Sequence, residues 1–459
     1  MRNDPDDERT QMNKRSFSLD TIGIFVTSIL TTLISLPISI LIARFLGPEG
    51  KGTLTIVLLI VGQIGTFLTI GVEVALIHYG GRRPRDLGIL ASASMGLGIL
   101  LGLAGMGSAI AIFALVSYEV IPVHLLPFLI LSASTIPMVQ TTLFVRSLIR
   151  TSGRIIEEGL LGMIGAFFNL AAIGAVFMAG FRLKGVLIGL WLSTVLLTLL
   201  IFVLGIRWNL VISRPIFSIS VWKPLITYGV KLHVGSMFQT LNYRFDMYLV
   251  AFFLGTASVG LYSVAVAMGE WLWLIPGVLG TSLMQRVATG SEEEVNRIVG
   301  PINRLTSAIL VLGIVILALV GSGLIHLLYG EAFSASYLPL LLLLPGIWAL
   351  GLWKNFMNDL SVRGYPTTKS YTSGVAMLLT VVLDILLIPR WGIIGAAIAS
   401  SIAYLTGWGL ALRFYCRITR YHPRDLLVIR QTDLDLAFKI VKKNWMHLKA
   451  KLIPEGRVE

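Results

Sequence analysis

A chain of 459 residues that is 55% hydrophobic and only 13% charged cannot cover a water-facing surface of its own size, because soluble domains carry roughly twice that charged fraction. Its mean hydropathy of +0.83 excludes an ordinary soluble enzyme or binding module. The formal charge of +13 is no nucleic-acid footprint. Basic residues fall in short gaps between apolar runs, where they set membrane orientation. A single cysteine, Cys416, excludes an intrachain disulfide and a Cys-based metal site.

In chain order, residues 1–19 form a polar cytoplasmic segment, and the apolar run behind them reads as a retained signal-anchor helix. A spanning helix needs roughly 20 apolar residues. Twelve such runs are predicted, at about 20–44, 53–78, 87–117, 122–148, 155–180, 184–206, 224–254, 257–285, 302–329, 336–362, 367–389 and 392–416. Turn residues mark the gaps, as in GPEGKG at 47–52, GRRPRD at 81–86 and RTSGR at 150–154. The expectation is an all-α polytopic membrane protein with a first six-helix lobe at 20–206, a linker at 207–223 and a second lobe at 224–416. A basic tail at 417–459 completes the chain. From Thr432 onward its Leu434, Ala437, Val441, Trp445, Leu448 and Leu452 recur at helical spacing beside lysines, a pattern that lies on an anionic leaflet.

With the N-terminus in the cytoplasm, inside segments hold 29 Lys and Arg and outside segments hold 5, namely Arg44, Lys51, Arg182, Lys184 and Arg390. Both termini are therefore expected on the cytoplasmic side of an inner (plasma) membrane, which requires an even number of spans. The chain also repeats. FLGPEGKG at 45–52 returns as FLGTASVG at 253–260, offset by 208, and Gly153 and Gly185 are echoed by Gly364 and Gly395. Two six-helix halves of like orientation form the parallel-repeat plan of many secondary transporters.

No HExxH or GxSxG motif occurs, GPEGKGT has the wrong spacing for a phosphate loop, and the six histidines are scattered. No catalytic residue, metal ligand or cofactor is assigned. The informative residues are charges inside spans, which are costly in hydrocarbon and default to functional candidates. Glu270, in GEWLWLIPG ahead of Pro276, is a candidate for coupling or gating. Arg244 lies deep in the seventh run and shares a predicted helical face with His233, while Tyr248 sits near that face, so the three read as a cavity wall. Lys354 is the third deep base of interest. Asp246, two residues from Arg244, points away from it on a helix and is a second candidate for coupling or gating. Glu73, Lys231 and Asp359 lie within a turn or two of the cytoplasmic ends, where interfacial pairing competes with a coupling role. Asp384 stands near the outer end of its span.

Three stretches carry a family resemblance. ISILIARFLGPEGKGTLTIVLLI, YRFDMYLVAFFLGTASVGLYSVAVAMGEWLWLIPG and DILLIPRWGIIGAAIASSIAY resemble, in order, the first repeat, the start of the second half and the LIPxxGxxGAA signature of polysaccharide-biosynthesis flippases. Those proteins belong with the multidrug and toxin extrusion proteins and the lipid II flippases. The resemblance implies two six-helix lobes around a central cavity that alternates its access. It implies as cargo an undecaprenyl-diphosphate-linked oligosaccharide, with membrane lipids, glycosyltransferases and a polysaccharide polymerase as partners and no nucleic acid. Arg244 and Asp246 fall in the seventh-helix motif and Glu270 in the eighth, whereas Asp384 stands where the family often has Asn. The alternative on the same fold is a cation-coupled multidrug or metabolite antiporter. The absence of an acidic residue in 20–44 beyond Asp20 departs from that pattern.

Overall fold

The computed structural model describes residues 5–82, 86–116, 126–210, 215–273, 292–428, 430, 431 and 433. Pro276 and the tail helix expected beyond Asp433 lie outside the described residues. The first half runs α1 (Pro5–Leu68), α2 (Val72–Arg82), α3 (Leu87–Val116), α4 (Leu126–Ala133), α5 (Thr135–Thr151), α6 (Ile155–Met178) and α7 (Leu183–Arg207). The second runs α8 (Ile219–Asn242), α9 (Phe245–Leu254), α10 (Thr256–Glu270), α11 (Glu292–Tyr329), α12 (Tyr337–Val362), α13 (Thr367–Trp391), α14 (Ile393–Thr419) and the short α15 (Pro423–Leu427). The fold is all-α among the described residues, and it is polytopic. Its exterior is apolar: Leu199, Val203, Leu312, Leu319 and Leu378 are all more than half exposed. That surface is suited to lipid, where every backbone polar group must be satisfied within a helix.

Nine described helices are long and apolar enough to cross a bilayer. The sequence count of twelve takes α1 as two spans, and α1 does bend at Gly47, which leaves helical geometry. It also takes the seventh run as a single span, whereas that run breaks into α8 and α9, of which α9 has 10 residues. The eighth run is described through α10 and on to Trp273.

The sequence repeat has a structural cause. Gly47 adopts φ 67°, ψ −177° and Gly255 adopts φ 78°, ψ 179°, a region that only glycine enters without strain. Each turns the chain from one helical leg into the next, and Pro48 then opens the second leg of α1, where its missing N–H costs nothing. The last glycine of each motif is a contact. A Cβ on Gly52 would stand 1.7 Å from the Thr256 carbonyl oxygen, and one on Gly260 would stand 1.9 Å from that of Pro48. The two motifs thus cross backbone to backbone and join the halves. A second crossing lies just past the end of the second leg of α1, where a Cβ on Gly71 would stand 2.4 Å from the Gly229 carbonyl and one on Gly229 would stand 2.5 Å from that of Ile70. Nearby, the Trp222 indole N–H donates to the Ala93 carbonyl at 2.7 Å and the Ile216 N–H to that of Ser92 at 2.8 Å.

A side chain at the first crossing has only backbone to displace. Gly52→Val is therefore expected to cost about 3 kcal/mol or more and to cut the yield of monodisperse protein. Gly62→Ala, on the same leg with open space around it, should be silent. Equal yields of the two variants in detergent gel filtration would contradict the crossing.

Candidate functional site

The seventh run is interrupted where its charges lie. α8 ends at Asn242, Arg244 leaves helical geometry at φ −134°, and α9 resumes at Phe245. The helical arithmetic that placed His233 and Arg244 on one face therefore does not carry across the break. The break is stapled on both sides. The Asn242 side-chain oxygen accepts from the Thr380 hydroxyl at 2.7 Å, and the Tyr404 hydroxyl donates to the Asn242 carbonyl. Asp246, in the first turn of α9, accepts from Tyr262 at 2.7 Å, from Ser400 at 3.0 Å and from the Met247 N–H at 2.7 Å. A carboxylate in that turn also faces the positive end of the helix dipole. Asp246 is 2% exposed; it ties α9 to α10 and α14.

Arg244 turns the other way, onto Glu270, the last residue of α10. Nη1 stands 3.0 Å from Oε1, and Nη2 donates to Oε2 at 3.2 Å. Both side chains keep about a quarter of their surface or more accessible, 31% and 23%, so the pair borders open space. Lys354, from α12, comes to the same place. Its ammonium stands 3.7 Å from the centre of the Trp273 ring and 4.9 Å from that of Tyr243, an aromatic shelf that stabilises a cation without neutralising it. Among the described residues no carboxylate lies within ion-pair distance of Lys354. The cluster thus brings two basic side chains, Arg244 and Lys354, to one acidic side chain, Glu270.

The other candidates stand elsewhere or in other roles. His233 is buried, and its Nε2 has no hydrogen-bond partner. Tyr248 lines an apolar cavity of about 460 Å³ between the halves, together with Ile56, Ile60, Phe67, Leu241 and Phe245. Glu73 lies in the first turn of α2 with one buried, unpartnered carboxyl oxygen. Asp359 holds Arg363 at 2.9 Å and accepts from Tyr415. Asp384 is fully buried, and neither of its oxygens has a hydrogen-bond partner. Among the described residues no three His, Cys, Asp or Glu side chains converge as a metal site.

Sequence reasoning missed the shelf residues Tyr243 and Trp273, which are neutral and flank the charges. It also missed a second polar cluster, in the first half. Arg146 donates to Glu158 Oε1 at 3.0 Å and 2.6 Å, and Arg150 donates to the same oxygen at 2.9 Å. Together with Thr27, Ser28 and Thr31 they line a cavity of about 420 Å³. On sequence alone those arginines counted only as orientation charges, Arg146 near the end of the fourth run and Arg150 in the RTSGR gap.

Two halves of like helical plan, crossed at glycine pairs and holding charged side chains at a helix break, define the class of polytopic membrane transporters. The chain belongs to the polysaccharide biosynthesis protein family, whose sequence profile matches residues 41–338. A Shigella flexneri protein described as "Putative O-antigen transporter" is 24% identical over 403 residues, covering 84% of this chain and 94% of that one. Among solved structures, the lipid II flippase MurJ in an inward closed conformation superposes with a TM-score of 0.74 at 16% identity, over 92% of this chain and 93% of MurJ. A MATE transporter of Vibrio cholerae superposes with a TM-score of 0.62 at 16% identity, over 88% and 98%.

Proposed function

We propose that the protein flips an undecaprenyl-diphosphate-linked oligosaccharide from the cytoplasmic to the outer leaflet of the inner membrane by alternating access. The observation that carries this reading is Lys354, a cation held on aromatic faces beside an ion pair that is already neutral. An anionic diphosphate entering low dielectric requires such uncompensated positive charge. The apolar cavity beneath Tyr248 opens between the halves and suits the isoprenoid chain, which stays in hydrocarbon while the head crosses. Glycosyltransferases supply such a cargo and a polymerase consumes it. The direct test is movement of a fluorescent lipid-linked oligosaccharide in proteoliposomes. Protection of the label from an external quencher that is the same with and without protein would refute the reading.

A second reading, cation-coupled antiport, draws on Asp384. A buried carboxyl with two unpartnered oxygens takes up a proton or a cation readily. Arg244→Ala separates the two readings. The flippase reading expects it to stop lipid-linked sugar movement; drug transport that survives loss of Arg244 but fails when Glu270 or Asp384 is neutralised would favour the antiporter.

The lobes divide at 207–223, with both termini cytoplasmic. Reporter fusions after Arg182 and Arg390 are then expected to read as outside, and a fusion after Arg424 as inside. An outside signal at Arg424 would overturn this orientation.

A further inference from the structure

Outside the Arg244 site, the first leg of α1 carries Thr27, Thr31, Ser35 and Ser39 at every fourth residue, a row about 18 Å long at 1.5 Å per residue. Thr27 donates to the Gly23 carbonyl at 2.9 Å, Thr31 to that of Thr27 at 2.7 Å and Ser35 to that of Thr31 at 2.8 Å. Thr32 widens the row by donating to the Ser28 carbonyl at 3.0 Å. Val26, Leu30 and Leu33, which are 45%, 40% and 55% exposed, occupy the opposite face and meet lipid. Ser35 is exposed too but points away from that lipid-facing stripe, and Thr27 and Thr31 border a polar cavity.

The chemistry of the row is one-sided. A hydroxyl that gives its proton to its own helix keeps oxygen lone pairs for an outside donor. Such a surface binds the many hydroxyl donors of a carbohydrate and offers nothing to phosphate oxygens. Cations stand at both ends instead. At one end the cavity of Arg146 and Arg150 is lined by Thr27 and Thr31, and its two guanidinium groups share the single carboxylate of Glu158. At the other end Lys51 is 7% exposed. Its ammonium donates to the Ser39 hydroxyl at 3.2 Å and lies 6.0 Å from the centre of the Tyr329 ring. Among the described residues no carboxylate pairs with it.

We infer that this face of α1 is the carbohydrate-contacting wall of the transport path. The glycan hydroxyls are handed along Thr31, Ser35 and Ser39 while the diphosphate passes from Arg146 and Arg150 to Lys51. The inference rests on the flippase reading and extends it to the first half.

The test is Thr31→Val with Ser35→Ala in the full chain, since among the described residues these hydroxyls bond only to their own helix and their loss spares the packing. Thr27 is left intact because it is buried against Gly159. Flipping of undecaprenyl-diphosphate-linked oligosaccharide in proteoliposomes should fall about tenfold at equal protein, while competition by sugar-free undecaprenyl diphosphate stays at the parental level. Lys51→Gln should weaken both. A double variant that flips at the parental rate, or that loses sugar-free competition in parallel, overturns the wall and leaves the flippase reading standing. A parental protein that moves no lipid-linked sugar removes both.

Discussion

Arg244→Ala is expected to slow lipid-linked sugar flipping on the order of 100-fold, equivalent to about 2.7 kcal/mol. The guanidinium carries a planar fork matched to phosphate oxygens, and Glu270 engages one side of it in the resting state. On the flippase reading, arriving cargo would exchange one anion for another at Arg244, so the charge would never be left bare. Removing Arg244 alone also strands Glu270, which would slow transport for a merely structural reason. The double variant Arg244→Ala with Glu270→Ala separates these causes. If the pair is only a strut, the double variant recovers activity along with stability; if Arg244 meets the cargo, stability returns and flipping does not. Arg244→Lys should retain part of the rate, because a point charge keeps the attraction and loses the fork. Lys354→Ala should cost about tenfold and Lys354→Arg less, since the Trp273 and Tyr243 faces accept either cation. Folded Arg244→Ala and Lys354→Ala proteins that flip at the parental rate would end the cationic-site reading.

The second large effect is expected at the start of the tail. Asp433 accepts from Arg304 Nε and Nη2, both at 2.6 Å, and Arg304 also donates to the Asp425 carbonyl. The two side chains are 7% and 1% exposed. Breaking a buried pair from one side leaves an uncompensated charge and costs about 3–5 kcal/mol. Asp433→Ala, or truncation before Asp433, should therefore lower the melting temperature sharply. Truncation after Asp433 should be mild, and Arg304→Met with Asp433→Leu should restore most of the loss. The hydrogen bonds from Arg304 hold the Asp433 carboxyl below the ordinary aspartate range. Its contribution is thus complete above about pH 4, where a free aspartate ionises, and fades as the pH falls through the lowered value. Unfolding of the parental protein and of Asp433→Asn at pH 7 and pH 3.5 gives the check; an identical gap between them at both pH values would contradict the clamp.

The all-α, polytopic character was legible because its cause is one-dimensional: apolar length acts on any helix regardless of its neighbours. The FLGxxxxG repeat was visible as a pattern, but only Gly47 and Gly255 answer a backbone requirement at their own position; Gly52 and Gly260 answer a contact with the other half that the sequence did not reveal. The break at Tyr243 and Arg244 was not legible. LNYRFD contains neither proline nor glycine, and the interruption is held by Thr380, Tyr404, Tyr262 and Ser400, which are distant in sequence. Arg244 and Glu270 stood out as charges, but their pairing depends on α8, α9 and α10 meeting at that break. The hydroxyl row of α1 was hidden by its mildness, since Thr and Ser barely lower the hydropathy of a long apolar run.

On the alternating-access reading, the two glycine crossings would divide the mechanical labour of the molecule unequally. When two rigid bodies rock against each other, points near the axis of rotation scarcely travel, while points far along the lever sweep an arc. Gly52 and Gly260 meet through reciprocal positions of the repeat, where an axle would sit, and their contact would persist through a whole cycle. Gly71 and Gly229 meet past the far end of the helical leg, which runs about 24 Å from Gly52 to Leu68 at 1.5 Å per residue, and would part whenever that end opened. The two glycine pairs would then serve as bearing and latch, and a tether across the first should leave the cycle running where a tether across the second would stop it.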